Sequence, residues 1–177
     1  MAQITVKNIA DKNEWENFIS KHDEANFLHS WYWGEFHERM GKTVIRSGFY
    51  KNGNLIGVVL SIVEDAKRGK YLTVPGGPII DWKNLQLVKS FTDEIKKIAI
   101  LNDCAFIRVR PQLISDNFSK NIFRKNGFIN APMHLHAEST SQLDITKSEE
   151  ELLKNMRKTT RHELKKANSL GIEIIEV

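Results

Sequence analysis

The sequence has little cysteine and no long apolar run. Cys104 is the only cysteine among 177 residues, so no internal disulfide can form. The longest apolar run, LIGVVLSIV at residues 55–63, is far shorter than the ~20 residues that a membrane-spanning helix needs. The N-terminal stretch MAQITVKNIADKNEWENF lacks the basic start and apolar core of a secretory signal. These absences predict a cytoplasmic protein.

Familiar catalytic and cofactor motifs are also missing. The chain contains neither G-x-G-x-x-G nor G-x-x-x-x-G-K-S/T, which argues against a mononucleotide phosphate loop. No Ser/His/Asp order, carboxylate pair or Cys/His nucleophile pattern stands out, so no catalytic residue is assigned. His134 and His136 could share one face of a strand, but two histidines do not make a metal site. The sequence therefore predicts no metal and no cofactor.

The chain has the composition of an ordinary globular protein, but its C-terminal segment is unusually basic. An apolar fraction of 41% and a charged fraction of 27% are typical of a soluble domain, and the length suits one domain plus an overhang. The formal net charge is +4. From Lys154 to Asn168, six Lys or Arg residues stand against one acid, Glu163. Either this segment meets an anionic partner, or it is a solvated helix face.

The hydrophobic pattern predicts an α/β fold. Two helices, one capped by Asp11 and one starting at Ser30, precede a hairpin whose KNGN turn needs positive φ at its two central positions. KYLTV continues this antiparallel meander, and helices then alternate with the strands AFIRVRP and SQLDI. In the second helix, Trp33, Phe36 and Met40 are expected on the buried side. PGGPIID is predicted to be a rigid loop without regular structure.

The strand AFIRVRP carries two arginines at alternate positions. Arg108 and Arg110 therefore share one strand face, and each guanidinium suits a carboxylate or a phosphate. A buried ion pair with a neighbouring acid is the equally supported alternative. After Ile145 a new capped helix starts at Ser148. We therefore expect a first domain over residues 1–145 and the start of a second over residues 146–177.

These segments together resemble the Fem-type peptidoglycan-bridge aminoacyltransferases, the methicillin-resistance-factor family. The resemblance rests, in chain order, on FLHSWYWGEFHERMG, the hairpin, YLTVPGGPIID, FIRVRP, IFRKNGF and SQLDITKSEEELLKNMRKTTRHELKKANSLGIEI. It implies two GNAT-like domains with mixed sheets flanked by helices, of which the second is truncated in this chain. It also implies transfer of an amino acid from aminoacyl-tRNA to the stem peptide of a nucleotide-linked or lipid-linked precursor. No DNA partner is implied, and membrane association would be at most peripheral, through a lipid-linked substrate.

The resemblance also implies a set of substrate-binding residues. Family members often have a Lys or Gln at the position of His37, and in some of them the Lys touches the precursor's phosphates. Some members have an Asp at the position of Arg110. An always-protonated Arg110 cannot act as a general base, so it could only bind or orient substrate. Tyr71 matches an aromatic position near the precursor, and Gly77 belongs to a loop that would allow close approach to the sugar. The implied set is Trp33, His37, Tyr71, Gly77, Arg108, Arg110 and Arg161.

Two other functions fit parts of the sequence. One is an acyl-CoA-dependent GNAT N-acyltransferase, whose usual Q/R-x-x-G-x-G/A motif is absent here. The other is a nucleic-acid-binding module that uses the basic terminal helix and predicts a steep salt dependence.

Overall fold

A computed structural model describes residues 3–67, 69–133, 143–173 and 175 of the chain. The chain divides into two compact units, Met1–Pro132 and Met133–Val177. The first unit contains a six-stranded sheet in the order β1-β2-β3-β4-β6, with β5 paired to β3 outside this path. Its strands are β1 Thr5–Asn8, β2 Val44–Lys51, β3 Asn54–Ala66, β4 Gly69–Pro75, β5 Ile79–Ile80 and β6 Phe106–Arg110.

Among the described residues, the first unit has four α-helices and one short 3₁₀ turn, and the second unit has two α-helices. Asp11 and Ser30 cap the first two helices through their side chains, and Ser148 caps the fifth, as the sequence predicts. The helices are α1 Lys12–Ile19, α2 Trp31–Arg39, α3 Leu85–Leu101, α4 Asn117–Lys125, α5 Glu149–Asn155 and α6 Lys158–Ser169, and the 3₁₀ turn is Phe27–His29.

The predicted meander is confirmed. β1 to β4 pair antiparallel in sequence, and Asn52 and Gly53 at the β2–β3 turn have φ of 52° and 82°. β6 then pairs parallel to β4, which makes the sheet mixed. The prediction that PGGPIID has no regular structure is wrong in part, because Ile79–Ile80 forms a strand against Gly57 and Val58 of β3.

The two faces of this sheet are covered differently. We call one the α3 face, where Val63, Leu72 and Val74 pack against Phe91 and Ile95 of α3. We call the other the α1/α2 face, where residues of β3 pack under Trp15, Ile19 and Trp33. Strand alternation sends successive side chains to opposite faces, so register alone assigns each residue to one of them.

The predicted strands near the chain end fall largely outside the described residues. Residues 134–142 are not described, which leaves the histidine pair at 134 and 136 and the start of SQLDI without a structural account. Leu143, Asp144 and Ile145 have no regular secondary structure. A second GNAT-like domain beginning at residue 146 stays a prediction.

Candidate functional site

The helix α2 is fixed to the sheet by a buried arginine. Arg46 of β2 is 6% exposed, and its Nη1 lies 2.6 Å from Glu38 Oε1. Its guanidinium carbon lies 4.0 Å from the centre of the Trp31 ring, a cation–π contact. A Cβ on Gly34 would collide with the end of this guanidinium. Glycine at this helix position therefore lets α2 approach Arg46 closely.

This anchor decides which face of α2 is buried, and it corrects the sequence expectation. Phe36 and Met40 are 49% and 64% exposed, whereas Gly34 and His37 are buried. The ion pair between Arg46 and Glu38 turns that side of the helix toward the sheet. Hydrophobic periodicity cannot reveal this, because it counts neither glycine nor a charged pair as a packing surface.

Trp33 and His37 lie one turn apart in an aromatic cluster on α2. Their ring centroids are 4.9 Å apart in an edge-to-face arrangement. Phe36 stacks on Trp33 at 5.3 Å, and Phe27 meets its other side at 5.5 Å. The Trp33 Nε1 and His37 Nδ1 atoms are buried and have no hydrogen-bond partner within the described parts of the chain. An unpaired buried polar atom costs stability, so both atoms are candidates for contact with a bound group.

An ion pair stands beside His37. Lys42 Nζ lies 2.7 Å from Glu64 Oε2. Burial lowers the pKa of His37 from its ordinary value, and the positive charge of Lys42 adds to this, while the carboxylate of Glu64 opposes it. His37 is therefore held neutral, so it offers a hydrogen bond but no charge.

The β4–β6 register brings three of the predicted site residues together. Tyr71 pairs with Phe106, and Pro75 pairs with Arg110, with Arg108 between them along β6. The rings of Tyr71 and Phe106 stack at 4.9 Å with only 4° between their planes. Tyr71, Phe106 and the two arginines therefore point to the α1/α2 face, and Arg108 and Arg110 are half-buried there.

Glu64 connects this group with the α2 group. It pairs in register with Tyr71, so it lies on the same face as the two arginines. It also acts electrostatically on His37. Glu64 therefore links Trp33 and His37 of α2 to the sheet face that carries Tyr71, Arg108 and Arg110. We call the five linked residues the sheet-face site.

Gly77 follows the end of β4, two residues after Pro75. It is buried, and a Cβ on it would collide with the ring of His29. Asn26 Nδ2 donates to Gly76 O at 2.9 Å and holds the same loop. The glycine thus has a packing reason in the core. Its approach to a substrate sugar stays a prediction.

His29 is the residue that sequence reasoning missed. It is fully buried, its Nδ1 hydrogen-bonds Pro75 O at 3.0 Å, and its Nε2 accepts from Leu60 N at 3.0 Å. Leu60 and Pro75 are residues that the β3–β4 register would place opposite each other if it continued. The imidazole therefore separates β4 from β3 at this point, and β5 takes up the rest of the β3 edge. Burial lowers the pKa of His29 to about 4, which keeps this bridge neutral.

Arg161 belongs to the second unit. It lies exposed on α6, and its Nη1 donates to Lys154 O at 3.5 Å. Its predicted contact with substrate stays a prediction. Within the described residues, no group of three His, Cys, Asp or Glu side chains could hold a metal ion. No described helix is long and apolar enough to cross a bilayer.

Comparison with known proteins now identifies the family. The FemAB family model matches residues 10–133. The chain belongs to the FemAB family. The crystal structure of FemX superposes on it with a TM-score of 0.75 at 18% identity, covering 92% of this chain and 43% of FemX. This chain thus spans less than half the length of FemX.

Two acetyltransferase structures share the fold at lower similarity. A ribosomal-protein-alanine N-acetyltransferase from Brucella melitensis biovar Abortus 2308 has a TM-score of 0.55 at 12% identity, covering 80% of this chain and 100% of that one. An aminoglycoside 6′-N-acetyltransferase from Acinetobacter haemolyticus has a TM-score of 0.52 at 12% identity, covering 79% and 99%. No curated protein sequence matches this FemAB-family chain significantly. The expected GNAT-like fold is confirmed by these structures.

Proposed function

We propose that this FemAB-family chain forms part of a tRNA-dependent aminoacyltransferase that extends the stem peptide of a peptidoglycan precursor. The observation that carries the proposal is the sheet-face site, where Tyr71, Arg108 and Arg110 lie on one face of the sheet, with Arg108 opposite Thr73 and Arg110 opposite Pro75. The precursor carries phosphates and carboxylates, and guanidinium groups bind both with paired hydrogen bonds.

The division of roles follows from the chemistry of each side chain. Arg108 and Arg110 bind anionic groups of the precursor, and the Tyr71 ring packs against its apolar or sugar surface. His37 and Trp33 hydrogen-bond to the same substrate through the buried Nδ1 and Nε1 atoms that have no partner among the described residues. A neutral His37 supplies no charge, so the arginines supply the electrostatic attraction.

The reaction needs positioning more than it needs a nucleophile. The amine of the stem peptide attacks the ester carbonyl of the aminoacyl-tRNA, and a C–N bond forms as the C–O bond to the ribose breaks. The proton that the amine loses passes to the ribose oxygen that leaves. The ester is already activated, so holding the two substrates together lowers much of the barrier. No residue of this chain is assigned to the proton transfer.

Calorimetric titration with a nucleotide-linked precursor tests the assignment. We expect the paired variant Arg108→Gln and Arg110→Gln to weaken binding at least about tenfold, because each charge-assisted hydrogen bond contributes about 1.5–3 kcal/mol. The control is Lys120→Gln with Arg124→Gln, which removes two exposed charges from α4.

Two outcomes would count against this assignment. Equal binding by wild type and the arginine variant would remove the precursor role of this surface. Binding of acetyl-CoA in place of the precursor would favour an acyl-CoA-dependent enzyme. Transfer from charged tRNA, measured by mass spectrometry of the precursor, then tests the full reaction.

A further inference from the structure

The second unit presents an exposed row of positive side chains. Lys158, Arg161 and Lys165 recur at intervals of three and four residues on α6, so they lie on one face of the helix. Arg161 Nη1 donates to the backbone carbonyl of Lys154 near the end of α5, and Arg157, the N-cap of α6, stands four residues before Arg161. We call these five exposed residues the α6 row.

The α6 row forms no ion pair with an acid of the described second unit. The ion pairs found among the described residues all involve residues of the first unit, and none involves the α6 row. Glu163 lies about 140° around the helix from Lys158, because each residue turns the helix by about 100°. Like charges one turn apart destabilise a helix by about 0.2–0.5 kcal/mol per pair. Repulsion within the row therefore destabilises α6, and a bound anion would offset this loss of stability.

The linear spacing of the α6 row favours one class of anion. From Lys158 to Lys165 it extends about 10 Å along the helix axis, at about 1.5 Å per residue. Such a linear spacing suits a repeating anion, whereas a single phosphate is held by groups that converge on one point. Only Leu164 and Ala167 are apolar among the twelve residues of α6, which leaves too little apolar surface for burial in a lipid surface.

We propose that the α6 row binds the phosphate backbone of RNA. This inference rests on the proposed function, in which the donor is an aminoacyl-tRNA, and it assigns the contact with that donor to α6. Lysine and arginine side chains that neutralise phosphates release bound counterions, so the affinity depends steeply on salt. Such contacts hold RNA without reading its sequence.

Fluorescence anisotropy with uncharged, labelled tRNA tests the proposal on the full chain between 50 and 200 mM salt. The row variant combines Arg157→Gln, Arg161→Gln and Lys165→Gln, and glutamine preserves helix propensity. We expect the slope of log K against log salt to become shallower by about 2 to 3, because each phosphate that is no longer neutralised reduces the slope by about 0.7–0.9. The control variant makes the same charge change on α4, with Lys120→Gln, Arg124→Gln and Lys125→Gln.

Three outcomes would overturn the proposal. They are undetectable binding of tRNA by the wild type, an equal reduction of the slope in the control variant, and equally tight wild-type binding to poly-glutamate or to anionic vesicles. Circular dichroism of the row variant, compared with the wild type, shows whether its helices are intact, and repeating the titration with Arg161→Lys tests charge without truncation. The precursor titration of the sheet-face site contains no RNA, so each proposal can fail without the other.

Discussion

The two faces of the same sheet are built on different principles. The α3 face packs apolar side chains of β2 to β6 against the amphipathic helix α3, which contributes the fully buried Phe91 and Ile95. The α1/α2 face also has an apolar part, but it contains His29 and Arg46 in buried hydrogen-bonded positions. The sheet-face site lies on this same face. The α3 face is thus packed with apolar side chains, whereas the α1/α2 face combines an apolar core with buried polar groups and the candidate site residues.

The largest expected effect is a pure loss of stability on the α3 face. Phe91 is fully buried, and Phe91→Ala leaves a cavity that we expect to cost about 3–5 kcal/mol. Urea unfolding followed by circular dichroism measures this loss. Precursor affinity per folded molecule should not change. A change in that affinity would show that the two faces are not separate in function.

The next effect is a pH dependence that originates on the α1/α2 face. The folded pKa of His29, about 4, lies below its unfolded value of 6.5. Its neutral bridge therefore stabilises the fold fully above pH 6.5, and this contribution is lost as the pH falls toward 4. The loss amounts to about 3 kcal/mol at about 1.4 kcal/mol per pH unit.

Urea unfolding between pH 7 and pH 4 checks this dependence. The variant His29→Gln should be less stable at pH 7 by about 1–3 kcal/mol, because one of its two backbone hydrogen bonds is lost. Its stability should also fall less between pH 6.5 and pH 4. Parallel pH profiles for the wild type and the variant would contradict the bridge.

The smallest expected effect is a change in stability at Gly34 whose sign is opposite to the usual one. Gly→Ala inside a helix ordinarily stabilises by about 0.5–1 kcal/mol. At Gly34 the added methyl would displace the Arg46 guanidinium from its pair with Glu38. We expect Gly34→Ala to destabilise by about 1–3 kcal/mol instead. Thermal unfolding decides the sign, and a stabilised variant would show that Arg46 does not set the position of α2.

Local elements of the fold follow from local sequence. The side chains of Asp11, Ser30 and Ser148 cap helices where the pattern predicts them, and the Asn52–Gly53 turn has the expected positive φ. Caps and turns depend on neighbours within four residues, so the sequence reveals them. The same holds for the shared face of Arg108 and Arg110, which follows from strand alternation.

The buried face of α2 could not be predicted in this way. Trp33 packs against the core as expected, but Phe36 and Met40 are exposed, and Gly34 and His37 face the interior in their place. The cause is Arg46, eight residues from Glu38 in the chain and on another element. Hydrophobic periodicity carries no information on such a contact.

The sequence by itself determined the α/β order, the caps, the hairpin and the paired arginines, because each depends on short-range backbone geometry. Only the tertiary structure decided that Tyr71 lies beside Phe106, that His29 parts β3 from β4, and that Gly77 packs in the core. Those three contacts join residues at least 30 positions apart. Their partners are selected by packing in the assembled sheet, and no local pattern encodes that selection.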